Sequence, residues 1–302
     1  MDGSIVWFVW LLLISVAGWW VGLWVGRRRP AVSEVVMLVS LGLLGVWGWL
    51  MHNPHVSLQA IPVGLLVYLE GVGSVPVFML LVGAAYARSR GWRQGGVTAS
   101  AGLLGIVYLF HGGWWMLQST PEHAFGGAGR SPVVMQTHDY SCVPAACTTT
   151  LRLLGVESSE AEMAALTRTR PGSGATLVRA AAGMTEKLAG RAEVLVVALP
   201  VEHLRWAPLP AMTALQFEPT RHHMVTLLRV TEHGVWLLDP VDGLVYMTDS
   251  MFRLVYREKL LVVDGISAEM RGLARDRIEL VIGPGDRDRG WVELAAAGSR
   301  GE

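Results

Sequence analysis

Cysteine, net charge and nucleotide-binding motifs are scarce or absent in this sequence. Its 302 residues include two cysteines, Cys142 and Cys147, which could form one bridge but not a disulfide framework. Basic and acidic residues number 25 each, so the excess of positive charge that typifies nucleic-acid-binding proteins is missing. No Walker-type or dinucleotide-binding glycine motif occurs, and therefore we expect no nucleotide. The histidines show no zinc-ligand spacing and no His-Glu-x-x-His motif, so we expect no metal and no other cofactor.

Charged residues are also scarce in the first part of the chain. Residues 1–117 contain nine of the 50 charged residues, whereas residues 118–302 contain the others, with three more acidic than basic. Ten of the 13 tryptophans precede residue 118. We interpret residues 1–120 as a lipid-embedded domain and residues 121–131, which are rich in turn-forming types, as a linker to a soluble part.

Four apolar segments explain this asymmetry. They cover residues 4–25, 32–51, 60–87 and 97–117. Crossing the hydrocarbon core takes about 20 helical residues, so each segment is long enough for a transmembrane helix. Basic residues follow the first segment instead of preceding it, which favours a retained helix over a cleaved signal peptide. The sequence therefore predicts a domain of four transmembrane helices with the lipid bilayer as its partner.

The arginines of this domain predict its orientation. They cluster in the loops around residues 27–29 and 88–93, whereas the N-terminus and the loop 52–58 contain no Lys or Arg. Loops rich in Lys and Arg usually face the cytoplasm. With four crossings, both the N-terminus and the soluble part then lie on the outer side of a bacterial cytoplasmic (inner) membrane.

Glu70 lies inside the third apolar segment, and the sequence leaves two interpretations open. Carboxylates within membrane segments are costly and often face a cavity or a partner helix, which would make Glu70 a functional polar site. Alternatively, the run from Gly71 to Pro76 bends the helix there, and Glu70 is neutral or reaches the interface.

The soluble part has helical patterns first and strand-like patterns afterwards. Helices are predicted at residues 143–154, 158–167 and 176–188. Strands are predicted at residues 192–198, 211–217, 224–230, 235–238 and 244–247. This order is typical of an α+β domain. The charged extension at residues 264–302 is predicted to hold one more strand at residues 278–282 and to be otherwise solvated.

Four residues have the side-chain chemistry and the positions in helices and strands that a thiol hydrolase needs: Cys142, His223, Asp239 and Gln136. Cys142 starts an apolar helix, where the helix dipole and a nearby imidazole favour the nucleophilic thiolate. His223 begins a strand and is the candidate base. Asp239 ends the next strand, where a carboxylate would fix the tautomer of the imidazole. The amide of Gln136, six residues before Cys142, is a candidate donor to the oxyanion.

Each residue also has an ordinary structural explanation. A lone cysteine is usually a small buried hydrophobe, and we assign that role to Cys147, five residues further along the same helix. His222 and His223 point to opposite faces of a strand, so only one of them can face Cys142. Asp239 followed by Pro240 is a common turn sequence.

Taken together, these motifs resemble the bacteriocin-processing, double-glycine-leader cysteine peptidases (cysteine peptidase family 39). The similarity covers about residues 132–263 and is carried by Gln136, by Tyr-Ser-Cys142-Val-Pro-Ala-Ala, by His223-Met-Val-Thr-Leu and by Asp239-Pro240-Val-Asp-Gly. It implies a papain-like fold and cleavage of peptides, such as leaders, after a Gly-Gly-type pair. We therefore predict a membrane α-helical module of four transmembrane helices joined to an α+β, papain-like cysteine peptidase domain.

Two features depart from the family pattern. Val143 stands where the family usually has glycine, directly after the nucleophile. The best-known members are joined to ATP-driven peptide exporters, whereas this chain has no nucleotide-binding motif. Three explanations are open: the substrate is met after export, a separate chain supplies the exporter, or the orientation predicted from the arginines is wrong. Two other functions stay open: a domain that binds peptides or anchors a membrane complex without cleavage, and a different papain-like thiol hydrolase of the cell envelope, such as a wall-peptide amidase or a transglutaminase-like enzyme.

Overall fold

The computed structural model describes residues 3–118, 125, 131–218 and 221–283. The chain divides into two compact units, residues 1–119 and residues 120–302. Most of the predicted linker at residues 121–131 and the end of the predicted extension, from residue 284 onward, lie outside the described residues.

Unit 1 is helical throughout. Its helices are α1 (Gly3–Gly26), α2 (Pro30–His52), α3 (Pro54–Ala60), α4 (Val63–Leu69), α5 (Val75–Ala87) and α6 (Trp92–Gly113), and a 3₁₀ turn (Trp114–Leu117) follows α6. Apolar side chains such as Trp10, Trp20, Leu38 and Leu103 remain exposed on the outside of these helices. Such an apolar surface is typical of helices that face lipid.

Three candidate spans, not four, are present among the described residues. They are α1, α2 and the segment Trp92–Leu117. The predicted third helix at residues 60–87 is broken, because α4 ends at Leu69 and the 13-residue α5 begins only at Val75. Gly71 lies in the break with a φ of +80°, a conformation that glycine adopts without steric cost. Glu70 is half-buried at this break.

Helices α1 and α5 pack closely and run in the same direction. A Cβ atom at Gly18 would lie 2.6 Å from the carbonyl oxygen of Pro76, and one at Gly26 would lie 2.6 Å from that of Ala84. Only glycine permits this backbone approach, as in small-residue helix pairs of membrane proteins. The loops with the two arginine clusters therefore lie at the same end of unit 1.

Unit 2 has an α+β architecture, as predicted. Its helices are α7 (Cys142–Leu153), α8 (Glu160–Leu166), α9 (Leu177–Leu188), α10 (Asp249–Val255) and α11 (Ala268–Ile282). Its strands are β1 (Glu193–Ala198), β2 (Ala211–Glu218), β3 (Arg221–Val230), β4 (Gly234–Asp239), β5 (Gly243–Thr248) and β6 (Tyr256–Asp264). They form one antiparallel sheet in the order β1-β6-β2-β3-β4-β5. The three helices and five strands predicted between residues 143 and 247 agree with the observed ones to within a few residues at each end, whereas α10 and β6 were not predicted.

The sheet has a hydrophobic core on each face, and the alternation along β3 separates the two. Val225 and Leu227 belong to the core that includes Phe252 of α10. Leu228 belongs to the core on the other face, with Leu153 of α7. Next to it, the hydroxyl of Thr226 lies 3.2 Å from that of Thr150 and donates to the carbonyl oxygen of Ala146, so α7 is fixed to β3 by polar contacts as well. These contacts hold the middle of α7 against the sheet.

The prediction of a strand at residues 278–282 is wrong, because these residues end helix α11. Ser267 caps the helix by accepting the backbone N–H of Met270. Ala274, Ile278 and Ile282 are buried at a spacing of four residues, which is a helical period. The last two pack into the core that contains Leu153. Part of the charged extension is therefore a structural element of unit 2.

Candidate active site

Helix α7 begins at Cys142, as the sequence predicts for a thiol at a helix N-terminus. Pro144 lies in the first turn, where a helix tolerates proline because the N–H groups there have no intrahelical partner. The side chain of Cys142 is partly exposed, and both cysteines are free thiols. The positive end of the helix dipole at this position favours a negative charge on sulfur.

Cys147 is completely buried on the same helix. Burial, and to a lesser extent the Coulombic effect of Cys142, raises the pKa of the Cys147 thiol well above its usual range. A buried protonated thiol is a poor nucleophile. The structure therefore distinguishes the two cysteines by environment and leaves Cys142 as the reactive candidate.

His223 and Asp239 meet across the β3–β4 pair. Thr226 pairs with Leu238, so Asp239 follows one step further toward the end of β3 where His223 lies. The Nε2 atom of His223 is 2.8 Å from Oδ1 of Asp239. His222, its neighbour, is exposed. The structure thus brings His223, and not His222, to the carboxylate.

Asp239 also holds the turn that follows β4. Its Oδ1 accepts the backbone N–H groups of Val241 at 2.7 Å and Asp242 at 3.4 Å. The sequence suggested either a turn residue or a partner of histidine, and the geometry combines the two. Because the turn fixes the carboxylate, the imidazole has a fixed partner.

The electrostatics of His223 depend on both of its neighbours. Burial lowers the pKa of His223, but hydrogen bonds and Coulombic attraction to Asp239 and Cys142 outweigh burial and raise this pKa to about 9. Burial raises the pKa of Asp239, but the hydrogen bond and charge of His223 and the backbone donors of Val241 and Asp242 lower it overall. A protonated imidazole between a carboxylate and a sulfur is the arrangement that favours a thiolate–imidazolium pair.

Gln136 lies next to the same turn. Its backbone N–H donates to the carbonyl oxygen of Pro240 at 2.8 Å, the residue after Asp239. Its side-chain oxygen Oε1 is buried and accepts no hydrogen bond among the described residues. Buried acceptors are nearly always paired in folded proteins, so an unpaired one is a feature expected at functional sites. The backbone hydrogen bond of Gln136 therefore connects the segment that leads to Cys142 with the turn that follows Asp239.

Val143, which departs from the family pattern, is 2% exposed. Its side chain is directed into the domain, so it does not occupy the surface beside Cys142. The replacement of the usual glycine therefore adds to the core and leaves the partly exposed thiol of Cys142 accessible.

Glu160 is a residue of this region whose importance the sequence did not reveal. It is 2% exposed, and its carboxylate accepts hydrogen bonds from Thr137 and Ser141, the first and last residues between Gln136 and Cys142. In the sequence, Glu160 is simply the first helical residue after the N-cap Ser159, a position where acidic residues are common. Nothing in the local pattern indicates its burial, because the contact joins residues about 20 positions apart.

The part of the chain that contains Cys142, His223 and Asp239 matches a known protein family. The model of the peptidase C39 family matches residues 130–266. An uncharacterized protein of Methanothermobacter thermautotrophicus (strain Delta H) is 33% identical over 137 residues, which are 45% of this chain and 90% of that protein. An uncharacterized protein of Methanothermobacter marburgensis (strain Marburg) is 32% identical, with the same coverage.

Two solved structures are also similar to unit 2. A double glycine motif protease from an AMS/PCAT transporter, in complex with the leader peptide, shares 17% identity with a TM-score of 0.39 and covers 45% of this chain and 93% of its own. The peptidase domain of Streptococcus ComA, a bifunctional ABC transporter of a quorum-sensing pathway, shares 15% identity with a TM-score of 0.40 and covers 43% and 96%. The matched family segment contains Cys142, His223 and Asp239, and through it this chain belongs to the peptidase C39 family.

Proposed function

We propose that the chain is a membrane-anchored cysteine peptidase whose catalytic residues are Cys142, His223, Asp239 and Gln136. The Cys142 thiolate attacks the scissile carbonyl carbon and forms a C–S bond. The oxyanion accepts hydrogen bonds from the Cys142 backbone N–H and the Gln136 amide. His223 gives its proton to the leaving amine as the C–N bond breaks. Water, which gives a proton to His223, then attacks the thioester carbonyl, and the C–S bond breaks to release the carboxylic product and the Cys142 thiolate.

One observation carries this proposal. The imidazole Nε2 of His223 lies 2.8 Å from Oδ1 of Asp239, and Cys142 is close enough to help raise the pKa of His223. The three groups come from a helix, the start of one strand and the end of the next, so their meeting is not a consequence of local sequence. A thiol, an imidazole and a carboxylate in series are what nucleophilic catalysis by cysteine requires.

The substrate that we propose is a peptide with a Gly-Gly-type pair at its cleavage site. The support is the resemblance of the motifs around Gln136, Cys142, His223 and Asp239 to the double-glycine-leader peptidases. As a further partner we propose a peptide exporter supplied by a separate chain.

For the membrane, we propose that α4 and α5 cross together as one discontinuous segment. The ring of Tyr68 on α4 stacks on that of Trp7 near the start of α1, at a centroid distance of 5.2 Å. At the other end, α5 reaches Gly26, the last residue of α1. The broken segment thus extends along the length of a candidate span. Four crossings then put both arginine clusters in the cytoplasm and the peptidase unit outside.

The test is the reactivity of Cys142 in the full-length protein in detergent. Alkylation by iodoacetamide is followed against pH for wild type, His223→Ala and the matched control His222→Ala, with the modified residue identified by mass spectrometry. We expect wild type and His222→Ala to react well below the free-thiol pKa of about 8.5, and His223→Ala to react as an ordinary thiol.

A cleavage assay separates the other functions. Two synthetic peptides differ only in a central Gly-Gly or Val-Val pair, and we expect cleavage of the first alone. A reactive thiolate without cleavage of either peptide would favour another thiol hydrolase of the envelope. Ordinary thiol behaviour in wild type would favour a domain that binds peptides without cleaving them.

A further inference from the structure

Glu160 is the one carboxylate that is almost completely buried among the described residues of unit 2. Three hydrogen bonds are made to it, all by one segment. Its Oε1 accepts the backbone N–H of Thr137 at 3.0 Å and the hydroxyl of Ser141 at 2.7 Å, and its Oε2 accepts the hydroxyl of Thr137 at 3.1 Å. The three donors satisfy the hydrogen-bonding capacity that this buried carboxylate would otherwise lose with water.

The hydrogen-bond directions at Ser141 follow from its single hydroxyl proton. The oxygen lies near Glu160 Oε1 at 2.7 Å, near the carbonyl oxygen of His138 at 3.0 Å, and near the backbone N–H of His138 at 3.1 Å. A carboxylate is the stronger acceptor, so the proton goes to Glu160. The hydroxyl oxygen then accepts the N–H of His138. Glu160 thus fixes Ser141, and through it the turn at His138.

The two hydrogen-bond partners of Glu160 are sequence neighbours of the proposed catalytic residues. Thr137 follows Gln136 directly, and Ser141 precedes Cys142 directly. Glu160 therefore holds both ends of the segment that joins the proposed oxyanion donor to the proposed nucleophile. On its other side the segment is fixed by the hydrogen bond from Gln136 to Pro240. A catalytic donor and nucleophile need their relative geometry held to a fraction of an ångström.

We propose that Glu160 is a positioning residue of the active site: by accepting hydrogen bonds from Thr137 and Ser141, it sets the geometry of Gln136 and Cys142. This inference rests on the proposed function. Glu160 touches neither substrate nor the reacting atoms, and it acts only through its two neighbours in the segment.

The experiment compares Glu160→Gln and Glu160→Asp with the matched control Glu162→Gln in the full-length protein. Glu162 lies on the same helix but pairs with Lys187, with its side chain 41% exposed. The amide of Gln cannot accept all three hydrogen bonds, and Asp keeps the charge but is one methylene shorter. We expect kcat on the Gly-Gly peptide to fall about 10–100-fold in both Glu160 variants with KM nearly unchanged, as small misplacements of catalytic groups do. Glu162→Gln stays near wild type.

A second readout, the pH midpoint of Cys142 alkylation, separates positioning from a charge effect. Loss of geometry weakens the contact with His223, so the midpoint moves to higher pH in both Glu160 variants. Removal of a nearby negative charge alone would favour the thiolate, so the midpoint would move lower in Glu160→Gln and not move in Glu160→Asp. That pattern, or a kcat within twofold of wild type in both variants, would overturn the inference.

The two proposals fail in different ways. If wild-type protein shows no turnover and an ordinary thiol, the proposed function fails, and the inference on Glu160 fails with it. If wild type is active and Glu160 variants lose activity only in proportion to their folded fraction, measured by circular dichroism, the proposed function stands and Glu160 is merely structural.

Discussion

The imidazole of His223 and the carboxylate of Asp239 lie on adjacent strands, with Nε2 2.8 Å from Oδ1, and the same oxygen accepts the backbone N–H of Val241 at 2.7 Å. The turn after β4 thereby holds the carboxylate, the carboxylate holds the imidazole, and Asp239 and Cys142 both raise the pKa of His223. The hydrogen-bonded turn thus orients the carboxylate, and the carboxylate orients the imidazole.

Replacing each cysteine distinguishes the proposed nucleophile from its buried neighbour. We expect Cys142→Ala to abolish cleavage, because no other exposed thiol is available. Cys147→Ala removes a completely buried sulfur, so we expect normal kcat with a loss of about 1 kcal/mol in the free energy of unfolding. The measurements are peptide cleavage and thermal unfolding. Equal loss of activity in the two variants would contradict the assignment of Cys142.

Asp239→Asn should impair catalysis without removing the site. The amide can still accept a backbone N–H in the turn, but it no longer stabilises the imidazolium or selects the same tautomer. We expect kcat to fall about 10²–10⁴-fold, less than in Cys142→Ala. Asp242→Asn, an exposed carboxylate in the same turn, is the control and should remain active. An active Asp239→Asn protein would remove Asp239 from the mechanism.

The raised pKa of His223 predicts how stability depends on pH. Its pKa is about 9 in the folded protein against an ordinary 6.5, so its contribution to stability is full below about pH 6.5 and is lost as the pH rises through about 9. This contribution is at most about 3 kcal/mol. Thermal unfolding of wild type and His223→Gln from pH 6 to 10 measures it. We expect the difference between the two to shrink toward pH 10, and a constant difference would contradict the shift.

Helix α11 offers a matched pair of substitutions for the charged extension. Ile278 is 8% exposed and packs against the core that contains Leu153, whereas Leu280 is 78% exposed two residues later. Ile278→Ala should cost about 2–5 kcal/mol of unfolding free energy, as large-to-small substitutions in cores do. Leu280→Ala should cost almost nothing. Similar values for both in denaturant unfolding would show that α11 does not pack on the sheet.

Local patterns determined much of this structure. Helices α7 to α9 and five of the six strands were predictable, because caps and apolar periodicity specify an element within its own residues. The type and order of Cys142, His223 and Asp239 were also visible. Strand β6 was missed because Leu260 to Val263 are buried consecutively in the middle of the sheet, so the strand shows no alternation.

The tertiary structure decided the rest. Residues 278–282 fit a strand or a helix locally, and packing of Ile278 and Ile282 on the sheet selects the helix. The apolar segment at residues 60–87 is long enough to span, and the sequence left open whether the run from Gly71 to Pro76 bends it; in the folded chain the helix is broken there. Burial of Glu160 arises from contacts with Thr137 and Ser141, which are distant in the sequence. The sequence alone determines the residue types and the apolar periodicity of each element. Burial and side-chain partners are properties of the folded chain.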